Sequence, residues 1–422
     1  MTGAEITAMR ATATRLFQKA VEAADPALAL ERQVLKTPFP SPDPGGRVIV
    51  IAAGKAAVPM MRAALPHLSN PLALVVTNYE NKTEIPGATV HAAGHPVPDQ
   101  NGADAAGAVI AALRAARSCD RVIALISGGA SALLPAPAEG LTLADKIAVN
   151  RLLLANGFGI TEMNLVRQQL SQLKGGGFRH LAAPAPVTAY ILSDVIGNDL
   201  RVIASGPTTD PIGSMDEARQ ILQAGGVWDA LPPSVRAHLT RVPVKALPAV
   251  PAANHLIGSN RQSLEAMLVA AAGLQARIVD DALTGDVADA AAQIIEAAKV
   301  AGRGQAQCLI FGGETTVTLR GTGLGGRNQE LALRVAIAAQ ELDRPWVFLS
   351  GGTDGRDGPT EAAGGLTDPG SLDRMRAAGL DPAALLDDNA SNAALAASGD
   401  LLMTGATGTN VADVQVVLLA PG

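Results

Sequence analysis

The sequence predicts an α/β protein of two domains. Short apolar runs without polar alternation, such as Val122-Ile123-Ala124-Leu125-Ile126 and Trp346-Val347-Phe348-Leu349, read as strands buried on both faces. They alternate with amphipathic or Ala-rich helical segments, the order that builds a sheet covered by helices. The 422 residues exceed what one core ordinarily supports.

In chain order, residues 1–24 read as an amphipathic helix, and residues 47–53 as a strand that turns at Gly54-Lys55 into a helix. Strands at 72–77 and 89–92 follow, the second leading to His95-Pro96-Val97-Pro98-Asp99. An Ala-rich helix at 101–117 precedes the strand 121–126 and its turn Ser127-Gly128-Gly129-Ala130-Ser131. Helices at 144–154 and 162–173 flank Asn156-Gly157-Phe158-Gly159, and Lys174-Gly175-Gly176-Gly177 ends the second. The strand 187–192 closes on Ser193-Asp194-Val195-Ile196-Gly197-Asn198-Asp199.

Residues 232–251 hold many prolines and no glycine, which suits a crossing between domains and divides the chain into 1–240 and 241–422. Beyond it a short strand at 256–257, helices at 261–272, 287–301 and 328–340, and strands at 277–279, 307–311 and 346–349 are expected. Residues 315–320 are expected to fold back on 307–311 as a hairpin across Gly312-Gly313-Glu314, giving the second sheet a mixed character. Residues 400–420 read as strand, turn, strand.

Aromatic residues make up 2% of the chain and the formal net charge is -6, which argues against a nucleic-acid partner while leaving room for a local cationic pocket. No run of about 20 apolar residues is present, so no membrane partner is expected. The first residues lack a signal-peptide core, and a cytoplasmic enzyme is the expectation. Cys119 and Cys308 read as core thiols rather than a disulfide or metal pair.

Glycine-rich turns with polar tips at strand ends point to phosphate chemistry. Gly54-Lys55 is not a Walker A loop, because position 49 is Ile and position 56 is Ala. A lysine at a helix's first turn opposes the dipole and calls for an anionic partner. Ser127 lies outside the G-x-S-x-G pattern of a nucleophile, so the backbone N–H groups of Ser127, Gly128, Gly129 and Ala130 are expected to cradle phosphate. Asp194 is placed to orient or deprotonate a hydroxyl, and Asn198 or Asp199 to hold a phosphate-bound metal; a helix cap is the plainer alternative for Asp199. Asp354 and Asp357, in a glycine-rich turn, suit Mg²⁺ or else an ordinary Asp-Gly turn.

Gly321-Thr322-Gly323-Leu324-Gly325-Gly326 matches G-x-G-x-x-G, yet polar Arg327-Asn328-Gln329-Glu330 follows. Backbone donation from Gly323, Gly325 and Gly326, with Arg327 capturing a carboxylate or phosphate, fits that continuation better than a dinucleotide fold. Arg167 and Lys174 share a helical face at i, i+7 and form a second candidate anion contact. His95 lacks a spaced His partner and reads as structural. Residues 404–410 read as a turn that contacts phosphate or substrate, or merely joins two strands.

Taken together these motifs resemble the bacterial and animal glycerate 2-kinases, whose C-terminal module is called MOFRL. The resemblance runs from about Lys19 to the last strand. Gly54-Lys55-Ala56, Gly94-His95-Pro96-Val97-Pro98-Asp99, Ser127-Gly128-Gly129-Ala130-Ser131-Ala132-Leu133 and Ser193-Asp194-Val195-Ile196-Gly197-Asn198-Asp199 carry it. So do Ala204-Ser205-Gly206-Pro207-Thr208, Gly312-Gly313-Glu314-Thr315-Thr316-Val317, Gly326-Arg327-Asn328-Gln329-Glu330 and Ser350-Gly351-Gly352-Thr353-Asp354-Gly355. The resemblance implies a larger Rossmann-like N-terminal domain, a smaller C-terminal α/β domain, and a cleft between them as the active site. It implies ATP-dependent phosphorylation of D-glycerate at the 2-hydroxyl, with Lys55 and Arg327 central. The chain departs from the family at Gln168-Gln169, where basic residues are usual, and at Gly285-Asp286-Val287-Ala288, which lacks an arginine. It departs again at Ala406, which replaces a proline. These departures bear on substrate preference.

The resulting expectation is a kinase using ATP and Mg²⁺. Lys55, Arg327 and Asp194 are its catalytic residues, and the metal is shared among Asp194, Asp199, Asp354 and Asp357. A homodimer is left open. A nicotinamide-dependent hydroxypyruvate reductase is the alternative, resting on the G-x-G-x-x-G match with Glu341 or Asp343 as the ribose acid. A non-catalytic nucleotide sensor is the third reading.

Overall fold

The computed structural model describes residues 3–241 and 251–422. They form two compact units, Pro26–Ile257 and Met1–Asp25 with Gly258–Gly422.

The first unit is built on strands β1 (Val48–Ala53), β2 (Leu72–Asn78), β3 (Thr89–Ala93), β4 (Arg121–Ile126), β5 (Val187–Leu192) and β6 (Ala252–Gly258), in the order β3-β2-β1-β4-β5-β6. The first five strands pair in parallel. This is the order of a doubly wound sheet, which reverses direction between β1 and β4. Alternation along each strand explains why the runs are apolar throughout. Ile49, Ile51 and Ala53 join Val122, Ala124 and Ile126 in one core, covered by the helix Gln100–Arg114. Val48, Val50 and Ala52 join Ile123 and Leu125 in the other, covered by the helices Pro26–Lys36 and Ala57–Ala64. A separate helical layer, from Leu143–Ala155, Ile160–Gln169, Met215–Ala224 and Pro233–Leu239, packs its own core around Val149, Leu153, Val166 and Leu222. Capping boxes at Thr142 with Asp145 and at Ser214 with Glu217 start two of these helices.

The second unit holds β7 (Gln275–Asp286), β8 (Gln307–Thr316), β9 (Trp346–Gly352), β10 (Gly364–Thr367), β11 (Leu401–Leu402) and β12 (Asp413–Leu419), in the order β11-β10-β9-β12-β8-β7. The pair β7/β8 is parallel and the other pairs are antiparallel. One face carries Leu309, Phe311, Phe348 and Val417 beneath the helices Val287–Lys299 and Arg327–Ala338. The other carries Cys308, Ile310, Leu349 and Val416 beneath the helices Gly3–Ala23 and Asn260–Ala270. Cys308 is thus a core thiol, pushed up to about 12 by burial, and Cys119 is half-buried.

Two expectations are corrected. Residues 315–320 do not fold back on 307–311: β8 runs unbroken through the glycines and pairs with β7 and β12. The glycines serve close packing, since a Cβ at Gly313 would stand 2.0 Å from the Leu283 carbonyl oxygen and one at Gly312 would stand 2.1 Å from Asn260 Oδ1. The division into 1–240 and 241–422 also shifts. The first helix belongs with residues 258–422, and β6 completes the first sheet instead of opening the second. Residues 242–250 of the proline-rich crossing lie outside the described residues. No helix among the described residues is long and apolar enough to cross a membrane.

Ala13, Leu16, Phe17 and Ala20 form the buried stripe of the first helix, while Arg10 bonds Asp368 at 2.5 Å and Asp400 at 2.9 Å. Phe17 is 1% exposed and lies so close over β9 that a Cβ at Gly351 would meet its ring at 2.7 Å. Phe17→Ala is therefore expected to destabilise the mixed-sheet unit by ~3–5 kcal/mol, read from its urea-unfolding midpoint. An unchanged midpoint would mean that the helix contributes nothing to that unit.

Candidate active site

In the parallel-sheet unit the carboxyl ends of β1 and β4 lie level, because Ala53 pairs with Ile126. Their loops are laced together. Ser127 N–H donates to the Ala53 carbonyl at 3.0 Å, and Lys55 N–H donates to the Gly128 carbonyl at 2.9 Å. Ala56 N–H donates to Ser127 Oγ at 3.0 Å. Gly54 makes this approach feasible: its φ is +126°, and a Cβ there would stand 2.2 Å from Ser127 Oγ.

Three side chains gather around Gly128-Gly129. A Cβ on Gly128 would stand 2.1 Å from Asp194 Oδ2, so the carboxylate lies directly against that glycine. A Cβ on Gly129 would stand 3.1 Å from His95 Cδ2 and 3.3 Å from Lys55 Cγ. Burial raises the Asp194 carboxyl above the ordinary range, and the Lys55 charge opposes that rise. Burial lowers His95, Lys55 lowers it further, and Glu80 acts the other way. The Lys55 ammonium makes no ion pair or side-chain hydrogen bond among the described residues, although Asn81 Nδ2 holds the Lys55 carbonyl at 2.9 Å. This arrangement fixes a cation, a raised carboxyl and an imidazole around two half-buried glycines.

The remaining candidates of this unit divide. Ser127 and Ala130 sit in the laced turn, with the Ser127 hydroxyl accepting from Ala56. Asn198 has φ +54°, and its buried Oδ1 finds no hydrogen-bond partner among the described residues. Asp199 is held by Arg201: it accepts from the Arg201 N–H at 2.9 Å and from the guanidinium at 2.7 Å, which holds its carboxyl below the usual range. Lys174 is not part of the Lys55 group and donates from Nζ to the Ser131 carbonyl at 2.8 Å.

In the mixed-sheet unit Arg327 opens its helix in a two-point grip on the fully buried Asp413, Nε to Oδ2 at 2.5 Å and an Nη to Oδ1 at 2.9 Å. Glu314 stands 3.3 Å away. Burial works against the Arg327 charge, but Asp413 and Glu314 more than offset it. Asp357 caps the same helix, accepting from Asn328 N–H at 3.1 Å and Gln329 N–H at 2.8 Å. Asp354 accepts from Arg356 N–H at 3.0 Å, a local turn.

These contacts bear on two expectations. The turn through Gly323, Gly325 and Gly326 is a packing surface for residues 388–391 and Asp357. Gly323 N–H donates to the Asp388 carbonyl at 2.9 Å, and a Cβ on Gly325 or Gly326 would stand 2.2 Å from Ser391 Oγ or 2.3 Å from Asp357 Cγ. The dinucleotide reading of the same glycines therefore loses its basis. Two of the acids proposed for magnesium already have partners within their own units. Asp199 and Asp357 are engaged by Arg201 and a helix end, and no group of three or more His, Cys, Asp or Glu among the described residues is placed to hold a metal. Asp194 and Asn198 remain as donors that other side chains leave available.

Sequence reasoning set His95 aside because it sought a second histidine. The informative signal was its position, just past the carboxyl end of a parallel strand. Asp413 went unnoticed because it opens an apolar strand and nothing nearby marks its partner.

Residues 12–240 match the family described as Domain of unknown function (DUF4147), and residues 307–413 match the MOFRL family. A D-glycerate 2-kinase of Thermotoga maritima is 37% identical over 97% of this chain and 98% of its own length. A protein of Agrobacterium vitis provisionally named hydroxypyruvate reductase is 42% identical over 89% of this chain and 100% of its own. The crystal structure of glycerate kinase from Thermotoga maritima superposes with a TM-score of 0.90 at 36% identity, covering 98% of this chain and 100% of that one. Likeness of sequence and fold over nearly the full length of both chains places this one in the glycerate kinase family.

Proposed function

We propose that the chain transfers the terminal phosphoryl group of ATP to the 2-hydroxyl of D-glycerate, giving 2-phospho-D-glycerate, in the cytoplasm. The observation that carries this reading is the convergence of Lys55, Asp194 and His95 on Gly128-Gly129 at the ends of parallel strands. Phosphoryl transfer needs positioning and charge neutralisation more than covalent chemistry. In this reading Lys55 neutralises charge on the transferring group, and the N–H groups of Gly128 and Gly129 bind its oxygens. Asp194 accepts the proton of the substrate hydroxyl, a task its raised carboxyl suits. Arg327, oriented by Asp413, takes an anionic oxygen of a substrate. Asn198, whose buried Oδ1 is unpartnered among the described residues, would help hold Mg²⁺ arriving with the nucleotide, and the ion would supply further neutralisation of phosphate charge.

The direct test is ADP release with D-glycerate, with ³¹P NMR to identify the phosphorylated hydroxyl. Phosphate at the 3-hydroxyl, or no ADP release by the folded chain, would overturn the proposal. Lys55→Met is expected to lower kcat by about 10²–10³-fold, the range for one lost electrostatic contact to developing charge. Asp194→Asn is expected to lower kcat by about 10²–10⁴-fold. The wild-type rate should fall on acidification at a pH above the ordinary carboxylate range, because the base must be ionised and burial raises its pKa. That acid limb should vanish in Asp194→Asn. Asp413→Asn, which frees Arg327 from its grip, is expected to raise KM about tenfold and to change kcat less, as loss of uniform binding does.

A further inference from the structure

Three cations cluster in the parallel-sheet unit away from the Lys55 group. Lys146 comes from the helix Leu143–Ala155, Arg167 from the helix Ile160–Gln169, and Lys174 from the turn that follows. Each has only neutral oxygen for company. Lys146 Nζ donates to the Leu170 carbonyl at 3.1 Å, Lys174 Nζ to the Ser131 carbonyl at 2.8 Å, and Arg167 Nε to Asn150 Oδ1 at 2.9 Å. None of the three meets a carboxylate within ion-pair distance among the described residues. They oppose one another instead: Lys174 and Arg167 add to the burial that lowers Lys146, and Arg167 adds to the burial that lowers Lys174 to about 7.

This is an expensive arrangement to maintain without a counter-ion. Lys174 is 7% exposed. Elsewhere Arg374 is matched with Asp368 and Asp400, while the buried guanidinium of Arg344 is held by three backbone carbonyls at 2.8 to 3.1 Å. The cavity of about 30 Å³ beside Lys174 is lined by apolar side chains such as Ile51, Leu134 and Phe178, so it is no anion site. Lys146 and Arg167 are half-buried, so part of the cluster faces solvent. Hydroxyls stand ready nearby, Ser131 Oγ and Ser205 Oγ lying 3.0 Å apart. Ser131, whose carbonyl holds Lys174, is two residues past Gly129, a span of at most about 7 Å of chain, so one turn touches both groups. A single carboxylate would leave most of the positive charge unanswered, whereas a phosphate chain would answer it.

We propose that Lys146, Arg167 and Lys174 form a subsite for a phosphate chain, and that it takes the phosphates of the nucleotide that are not transferred. The second half of this statement rests on the kinase reading; the first half does not. Two loops serve it. The Ser127–Ser131 turn supplies a carbonyl and a hydroxyl, and the Gln168 side chain ties the cationic helix to the Ser205 loop through the Arg201 and Ser205 carbonyls at 2.9 and 3.2 Å.

The experiment titrates tripolyphosphate into the wild-type chain and into Lys146→Met and Lys174→Met by calorimetry, with thermal melting in parallel. Without ligand the variants should melt at or above the wild-type temperature, since each loses a buried like charge. Each should bind tripolyphosphate at least about tenfold more weakly, as the loss of one charge-assisted contact predicts. Unchanged affinity in both variants, or no binding by the folded wild type, would overturn the subsite. If a variant does not fold, amine labelling of the wild type decides: tripolyphosphate should protect the half-buried Lys146 but not the exposed Lys36, and equal labelling of Lys146 with and without tripolyphosphate would refute the idea. D-glycerate turnover with unaltered tripolyphosphate binding in the variants would sink the subsite and spare the kinase reading. Binding through the cluster without any phosphorylation of D-glycerate would sink the kinase reading and spare the subsite.

Discussion

The close approach of the loops after β1 and β4 is the constraint on which the candidate site depends. Parallel pairing brings both strands to an end at the same level, and three hydrogen bonds then join the loops. Gly54 is what lets Ser127 reach the first turn of the next helix, and Gly128 is what lets Asp194 lie against the backbone. A side chain at either position would occupy the volume of the group that now sits there. Lys55, Asp194 and His95 thus come from three different strand ends, yet one pair of glycines fixes their mutual arrangement. Precision of this kind comes from packed backbone, which moves less than exposed loops do.

Glycine has a different use in the mixed-sheet unit. Gly312 and Gly313 admit Asn260 and the Leu283 backbone into the middle of a strand pair. Gly323, Gly325 and Gly326 admit residues 388–391 and the capping carboxylate of Asp357. In sequence both uses look alike, as small residues beside polar ones after an apolar run. What separates them is the neighbour that fills the vacated space: a titratable side chain at Gly128, a distant stretch of the same chain at Gly325. That neighbour lies far along the sequence, so local pattern cannot supply it.

Much of the fold was legible for the same reason that these details were not. Buried parallel strands announce themselves through unbroken apolar runs, and β1, β2, β4, β5 and β9 fell where those runs lie. The first helix was equally plain, but an apolar stripe says only that a helix must be covered. The sheet that takes Phe17 and the acids that take Arg10 lie hundreds of residues away. The hairpin expected after Gly312-Gly313 failed because the turn chemistry was judged without the crowding from Leu283 and Asn260 that also demands glycine. Within the site, Lys55 and Asp194 stood out as polar tips on strand ends, whereas Asp199 looked the same until Arg201 was seen to hold it.

Charge placement completes the argument, and net charge conceals it. A chain at -6 carries acid to spare, and in the mixed-sheet unit the partly buried arginines Arg327 and Arg374 are each gripped by buried carboxylates. In the parallel-sheet unit Lys55, Lys146, Arg167 and Lys174 are left without a carboxylate within ion-pair distance among the described residues. Folding alone favours no such omission, because a partnered cation is cheaper to hold than a lone one. The absent acid would nevertheless be a competitor for any incoming anion, and a carboxylate bound in the folded chain would have to be displaced by every substrate. Leaving Lys146, Lys174 and Arg167 to neutral oxygens keeps them oriented, and in the proposed subsite it would reserve their charge for a ligand. By this logic Arg327 and the lysines would do different work: the grip of Asp413 fixes the direction of a guanidinium, and in the proposed subsite the want of an acid would keep the charge of the others for phosphate.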